Sequence, residues 1–269
     1  MNPLPINPSL TDALQAYRFL RGRVRHTPLE FSAPLSERIG APVLVKWENQ
    51  QLCGSFKIRG ALFKMYRLSP EARALGVVTA SSGNHGQGVA LAASELGVKA
   101  TVCVPSCCPR TKQDAIRRLG RGWVELRCVA GVYDDAEAEA HRLAEEGRTY
   151  VSSFEDPDIL CGASTLGTEM LLDEPDLDHL VIPAGGGGLM NGVSLTACAL
   201  RPGIRIWGVQ SEASNPYVVS WADGVVRNVD YGDTLADGLA GYIPQSLLSL
   251  AKTRMQGVLE VREREIAEA

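Results

Sequence analysis

The chain has 269 residues, 45% of them hydrophobic and 22% charged, a globular composition that excludes intrinsic disorder and needs no disulfide or metal staple to complete a core. Lys and Arg number 27 against 31 Asp and Glu, and the resulting charge of −4 argues against a nucleic-acid binder. The opening Met1-Asn2-Pro3-Leu4-Pro5-Ile6 has no basic stretch followed by an apolar one, so no secretory signal is expected, and no apolar run approaches the length of a membrane span.

In chain order, residues 42–47 read as a strand. Residues 77–79 form a shorter one, followed by a glycine-rich turn and a helix over 87–96. A strand at 100–104 precedes a helix at 113–119 that puts Ala115, Ile116 and Leu119 on one face. A strand at 123–126 follows, then a helix to Glu146 with Asp134 expected as its N-cap. The rhythm repeats with a strand at 180–182, a glycine-rich turn, a helix to Leu200 and a strand at 204–209. Strand, turn and helix repeated this often predict an α/β fold with mostly parallel sheets, whose ligands sit at the carboxyl ends of the strands. Seven cysteines, an odd number without an export signal, predict free thiols in a reducing cytoplasm. Cys103, Cys107 and Cys108 crowd together, but no second pair follows at ligand spacing, so they are expected to be small buried residues near a strand end.

Two turns stand out. The first is Ser81-Ser82-Gly83-Asn84-His85-Gly86, and the second is Gly185-Gly186-Gly187-Gly188-Leu189, each between a strand and a helix. Glycine lets backbone approach a ligand, and free N–H groups at a helix start favour phosphate. The second turn lacks the Lys-Ser/Thr of a nucleotide P-loop, and Met190 and Asn191 break a dinucleotide fingerprint. A tight connection without ligand is the other reading, and four successive glycines favour the phosphate. Lys57, in Gly54-Ser55-Phe56-Lys57-Ile58-Arg59-Gly60-Ala61, follows a serine able to cap a helix and an aromatic face. A desolvated lysine loses its proton readily and forms an imine with an aldehyde. Phosphate cradle and imine-forming lysine together describe pyridoxal phosphate.

Those segments, with Arg25-His26-Thr27-Pro28-Leu29, Lys46-Trp47-Glu48-Asn49 and Asp237-Gly238, resemble in order and spacing the motifs of the fold-type II pyridoxal-phosphate enzymes. The likeness is to their serine/threonine dehydratase and serine racemase branch. It implies a tryptophan synthase β-like α/β architecture of two domains, each an open, mostly parallel sheet flanked by helices. The large cofactor-binding domain would comprise 1–66 and 152–269, the small mobile domain 67–151. Lys57 would carry the cofactor and act as base at Cα, Phe56 would pack on the pyridine ring, and Asn84 would bond its hydroxyl. Backbone from Gly185 through Gly186, Gly187 and Gly188 to Leu189 would hold the phosphate, with Gly238 passing where a side chain would clash. Ser81, Ser82, Asn84 and His85 would gather the substrate carboxylate. Ser82 is also a candidate acid on the opposite face, though carboxylate binding is the better reading for it. The implied function is a homodimeric, cytoplasmic ammonia-lyase for a β-hydroxy amino acid of the threonine or serine class.

Departures from the pattern refine this. Racemases of the branch carry histidine where this chain has Ala80, and an arginine near Tyr133-Asp134, so the dehydratase reading leads and racemase is the alternative. The branch's cation site would need carboxylates where Gln210 and Pro216 stand, so no metal is expected. The family pattern continues beyond Ala269 to a serine that meets the pyridine nitrogen, which keeps a third reading, a non-catalytic cofactor-binding homologue. Gln51, Tyr133, Thr165 and Ala240 are the candidates to shape the substrate pocket.

Overall fold

A computed structural model describes residues 6–269; residues 1–5, on which the expected lack of an export signal partly rests, lie outside the described residues. In order, the elements begin with α1 (Leu10–Leu20), β1 (Leu29–Phe31), α2 (Ala33–Ile39), β2 (Leu44–Lys46), α3 (Lys57–Arg67) and α4 (Pro70–Leu75). Then come β3 (Val77–Ala80), α5 (Asn84–Leu96), β4 (Ala100–Pro105), α6 (Arg110–Gly120), β5 (Val124–Val129), α7 (Tyr133–Glu145) and β6 (Thr149–Tyr150). The remainder is α8 (Pro157–Asp173), β7 (His179–Pro183), α9 (Gly188–Leu200), β8 (Arg205–Ser211), α10 (Pro216–Ser220), α11 (Gln245–Lys252), β9 (Gly257–Val261) and α12 (Glu263–Glu268).

The chain adopts the expected α/β class. One sheet runs β5-β4-β3-β6 and a second β7-β8-β9, all parallel, while β1 and β2 pair as a short antiparallel ribbon. Strand β3 is buried along its whole length, as the run Val77-Val78-Thr79-Ala80 requires of a central parallel strand. The chain leaves β3 towards β4 and β5 and returns on the other side as β6. The carboxyl ends of β3 and β6 therefore flank the point where strand order reverses, the position at which open α/β sheets place their ligand crevice.

Small residues let the helices behind that crevice approach closely. A Cβ on Gly162 of α8 would lie 2.5 Å from the Gly60 Cα of α3, and one on Gly192 of α9 would lie 2.7 Å from the Leu160 carbonyl. The core splits accordingly. Ile58, Phe63, Met65 and Val89 centre one cluster around α3 and α5, and Ile182, Met190, Ile206 and Tyr217 centre another around the second sheet.

Two expected caps are corrected. Helix α7 starts at Tyr133 with Val132 as N-cap, and Asp135, one residue past Asp134, accepts the Val132 N–H at 2.8 Å. Ser55 does not cap α3: its N-cap is Phe56, in helical conformation, and the Ser55 hydroxyl lies 3.7 Å from the Cys53 sulfur. Among the described residues all seven cysteines are free thiols; Cys103 and Cys108 are buried as expected, whereas Cys107 is exposed because it sits in the turn after β4. No helix there is long and apolar enough to cross a membrane.

Candidate active site

Lys57 opens α3 beside the crevice. Its Nζ donates to the Ser153 carbonyl at 2.7 Å and lies 5.2 Å from the centre of the Phe56 ring. Protein packed around the amine removes water from it and lowers its pKa to about 8. At pH 7 roughly a tenth of such amines are neutral, far more than for an exposed lysine. Among the described residues the amine is thus held by a single neutral acceptor and by no carboxylate, which suits a nucleophile better than a salt bridge would.

The next residue after Ser153 reaches the second turn. A Cβ on Gly186 would stand 2.4 Å from the Phe154 ring, and one on Gly188 would stand 2.9 Å from the Phe154 Cβ. Gly187 has φ +98°, and a Cβ there would strike the Tyr217 hydroxyl at 2.0 Å. The turn is therefore all glycine partly because Phe154 and Tyr217 press on it from behind. That packing leaves its amides unbonded: from Gly185 to Leu189 no backbone N–H finds an acceptor among the described residues. These donors end at the N-terminus of a 13-residue helix, α9, which adds its dipole. Successive unbonded N–H groups on a left-handed bend form a nest for an anion, so the residues present fit a phosphate. The Gly238 carbonyl and Leu239 Cα flank Gly185, at 3.5 and 3.3 Å from where its Cβ would stand, while a Cβ on Gly238 itself meets no described atom within 4 Å.

The Ser81–Asn84 turn lies at the end of β3. Tyr133 donates to the Ala80 carbonyl at 3.3 Å, propping the start of this turn, and the Ser81 Oγ accepts the Gly83 N–H at 3.2 Å. Ser82 is half-buried and Asn84 exposed; neither side chain is bonded among the described residues, and the first turn of α5 leaves further N–H groups for an anion. His85 is different. Its imidazole is only 4% exposed and its Nε2 bonds the Val151 carbonyl at 3.0 Å, an acceptor shared with the Thr79 hydroxyl at 2.8 Å. Burial, with the Lys57 charge nearby, lowers its pKa to about 3.

Two candidates for the pocket belong elsewhere. Gln51 is buried and exchanges bonds with the Arg25 backbone, at 2.9 Å and 2.8 Å. Thr165 accepts from Arg59 at 3.1 Å. Ala240 is exposed. Arg59 itself, two residues beyond Lys57, is wholly buried and ties Glu48 of the Glu48–Gln50 turn to Glu169 of α8 at 2.8 and 2.6 Å. Burial alone would pull its pKa down; the bonds from Glu48 and Glu169 outweigh it and raise it. Lys46 joins the same cluster at 2.9 Å from Glu169. Sequence reasoning missed this network although it quoted Lys46, Glu48 and Arg59, and charged residues inside otherwise apolar motifs were the available signal. It also missed Val151, Ser153 and Phe154; the first two act through their carbonyls, which no residue type announces. Gln210 accepts the Tyr217 and Val218 N–H groups at 2.8 and 3.3 Å, and among the described residues no three His, Cys, Asp or Glu side chains group to hold a metal.

Residues 20–269 match a family described as pyridoxal-phosphate dependent enzyme. The chain is 40% identical over 263 residues to an L-threonine ammonia-lyase of Thermotoga maritima, covering 97% of this chain and 65% of that one. It is 40% identical over 250 residues to an L-threonine ammonia-lyase of Geobacter sulfurreducens, covering 92% and 61%. The chain thus spans slightly less than two thirds of the length of these relatives. Its fold superimposes on maize serine racemase with a TM-score of 0.93 at 28% identity, covering 97% of this chain and 79% of that one.

Proposed function

Because the chain belongs to the pyridoxal-phosphate dependent enzyme family, we propose that it is an ammonia-lyase that converts a β-hydroxy amino acid of the L-threonine or L-serine class to a 2-oxo acid and ammonia by β-elimination. The observation that carries this reading is the Ser153–Phe154 pair. Ser153 holds the Lys57 amine and Phe154 backs the Gly186 and Gly188 bend, so amine and anion nest are fixed one residue apart by the same backbone.

When bound, the cofactor supplies an aldehyde for the substrate amine and a ring that withdraws negative charge from Cα. The chain supplies the rest. Amides of 185–189 hold the phosphate and fix the ring's position. The half-buried Phe56 offers the ring an apolar face beside Lys57. Asn84, with no side-chain bond among the described residues at the start of α5, is our candidate to bond the ring hydroxyl. Ser81, Ser82 and the first amides of α5 collect the carboxylate at a helix N-terminus. The Lys57 amine, kept largely desolvated, takes the Cα proton and has the Ser153 carbonyl to steady it. Gly238 leaves open space beside Gly185 for the cofactor. We read residues 67–151 as a small mobile domain closing over the crevice, and the working form as a cytoplasmic homodimer.

The names of the two relatives support the hydroxy amino acid and the elimination. The test is to load the purified chain with pyridoxal phosphate and assay pyruvate and 2-oxobutyrate from L-serine and L-threonine, with D-serine followed in parallel. Oxo acid release supports the reading; D-serine formation without oxo acid contradicts it and favours the racemase.

A further inference from the structure

Residues 221–244 join α10 to α11 and, apart from a short turn at Asp237–Leu239, contain no helix or strand. A connection of this length is costly in entropy to order, so it has to be tied down. It crosses the anion nest as a strap. The Gly238 carbonyl and the Leu239 Cα stand against Gly185. The Tyr242 ring meets the Phe154 ring edge-on, with 5.4 Å between centroids, and Phe154 backs Gly186 and Gly188. The strap therefore bears on the glycine bend at two points, directly and through an aromatic pair.

A carboxylate on another element ties this strap down. Glu263, the first residue of α12, accepts three hydrogen bonds. Its Oε1 takes the Thr234 hydroxyl at 2.6 Å and the Ser211 hydroxyl, and its Oε2 takes the Leu235 N–H at 2.8 Å. These donors hold the carboxyl below its ordinary pKa, so it is ionised at neutral pH and its bonds are charge-assisted. Ser211 ends β8, so one carboxylate fastens the strap to the carboxyl end of a sheet strand. From that point the bonds run on towards the nest. The Ala236 N–H donates to the Thr234 hydroxyl at 3.0 Å, and the Leu239 N–H donates to the Ala236 carbonyl at 2.8 Å. Glu263 is thereby connected to Leu239, the residue against Gly185. The neighbouring ties are weaker. The Gly232 N–H to Ala213 carbonyl and Gly241 N–H to Ser214 hydroxyl bonds, at 2.9 and 3.4 Å, join neutral groups. The Lys112–Asp237 ion pair, at 3.5 Å, is exposed on both sides and holds little.

We propose that Glu263 is a positioning residue for the cofactor: by clamping Thr234 and Leu235 to the end of β8, it holds residues 236–242 against the glycine bend and keeps that bend shaped for the phosphate. Among the described residues Glu263 has no bond to 185–189, so it acts through Leu239 and Tyr242. The inference rests on the family's cofactor and not on the elimination.

Two variants test it on the cofactor-loaded chain. Glu263→Gln keeps the side chain's size but retains one acceptor oxygen and turns amide hydrogens towards the strap's donors. Thr234→Val removes the hydroxyl that links Glu263 to Ala236. Equilibrium dialysis reads pyridoxal phosphate affinity, and hydrogen exchange by mass spectrometry reads the strap. Each variant is expected to weaken cofactor binding by about fivefold or more, and the double variant should be little worse than either alone, since both break one link. Amides of 232–241 should exchange faster while those of β7 and β8 keep their wild-type protection. A smaller loss of affinity in either variant overturns the assignment. So does loosening of β7 and β8 equal to that of the strap, which would make Glu263 a prop of the sheet. In the wild type, unprotected exchange at the Leu235 amide overturns it without any variant.

Discussion

Gly88 of α5 rests on the backbone of Lys57: a Cβ there would be 3.0 Å from the Lys57 carbonyl carbon, 3.1 Å from the Ile58 nitrogen and 3.2 Å from the Lys57 Cβ. Two of these three neighbours are backbone atoms, which cannot swing aside. Gly88→Ala is therefore expected to destabilise the chain by about 1–3 kcal/mol through overpacking. It should also displace Lys57 from the Ser153 carbonyl. Urea unfolding checks the first effect, and slower cofactor uptake by the folded variant checks the second.

The glycine bend offers an independent probe. Gly187 combines φ +98° with a contact to Tyr217 that a Cβ would violate. Gly187→Ala should distort the nest and weaken cofactor phosphate binding about tenfold or more, since strain and lost N–H bonds act in the same direction. Adding Tyr217→Phe removes the hydroxyl in the way and should restore part of the affinity. Equilibrium dialysis of the cofactor reads both.

Arg59 makes a third case. Its guanidinium is fully buried between Glu48 and Glu169, so Arg59→Leu strips Glu48 of its cationic partner and leaves Glu169 with Lys46 alone. A loss of about 3–5 kcal/mol is expected, and Arg59→Lys should rescue little, because the three donors of an ammonium cannot reproduce the bidentate bonds the guanidinium makes to Glu48 and to Glu169. Denaturant midpoints at neutral pH decide it; a shift of under 1 kcal/mol for Arg59→Leu would mean the network holds nothing in place.

Histidine 85 predicts a pH dependence whose sign is fixed. The folded ring stays neutral down to about 3, whereas the unfolded one protonates near the ordinary 6.5. Between those values the unfolded chain binds a proton the folded chain refuses, so His85 favours unfolding as pH falls below 6.5. Against His85→Gln, wild-type stability should drop by up to about 1.4 kcal/mol per pH unit in that window. Unfolding curves of both proteins at pH 7, 6 and 5 test this, and parallel pH profiles would contradict it.

Much of the fold and half of the site were legible because their signals are local. Alternating strands and helices exposed the α/β class, and Lys57 and the glycine bend lie in contiguous motifs. Helix starts were read three residues late at Asn84 and Arg110, because polar first-turn residues carry no apolar period. Gln51 and Thr165 were misplaced for a different reason. Each is polar and near a motif, but each serves a partner brought in from over 20 residues away, the Arg25 backbone for Gln51 and the buried Arg59 for Thr165. The Ser153 carbonyl was beyond reach of any reading by residue type, since every residue has one.

The measurement that bears hardest on Lys57 is chemical. The chain is loaded with pyridoxal phosphate, reduced with borohydride, digested and examined by mass spectrometry. The expected result is one phosphopyridoxyl group, on the peptide carrying Lys57, and loss of both label and visible colour in Lys57→Ala. Label on Lys46, Lys64 or Lys99 with Lys57 unmodified, or a coloured and active Lys57→Ala, would contradict the assignment of that amine.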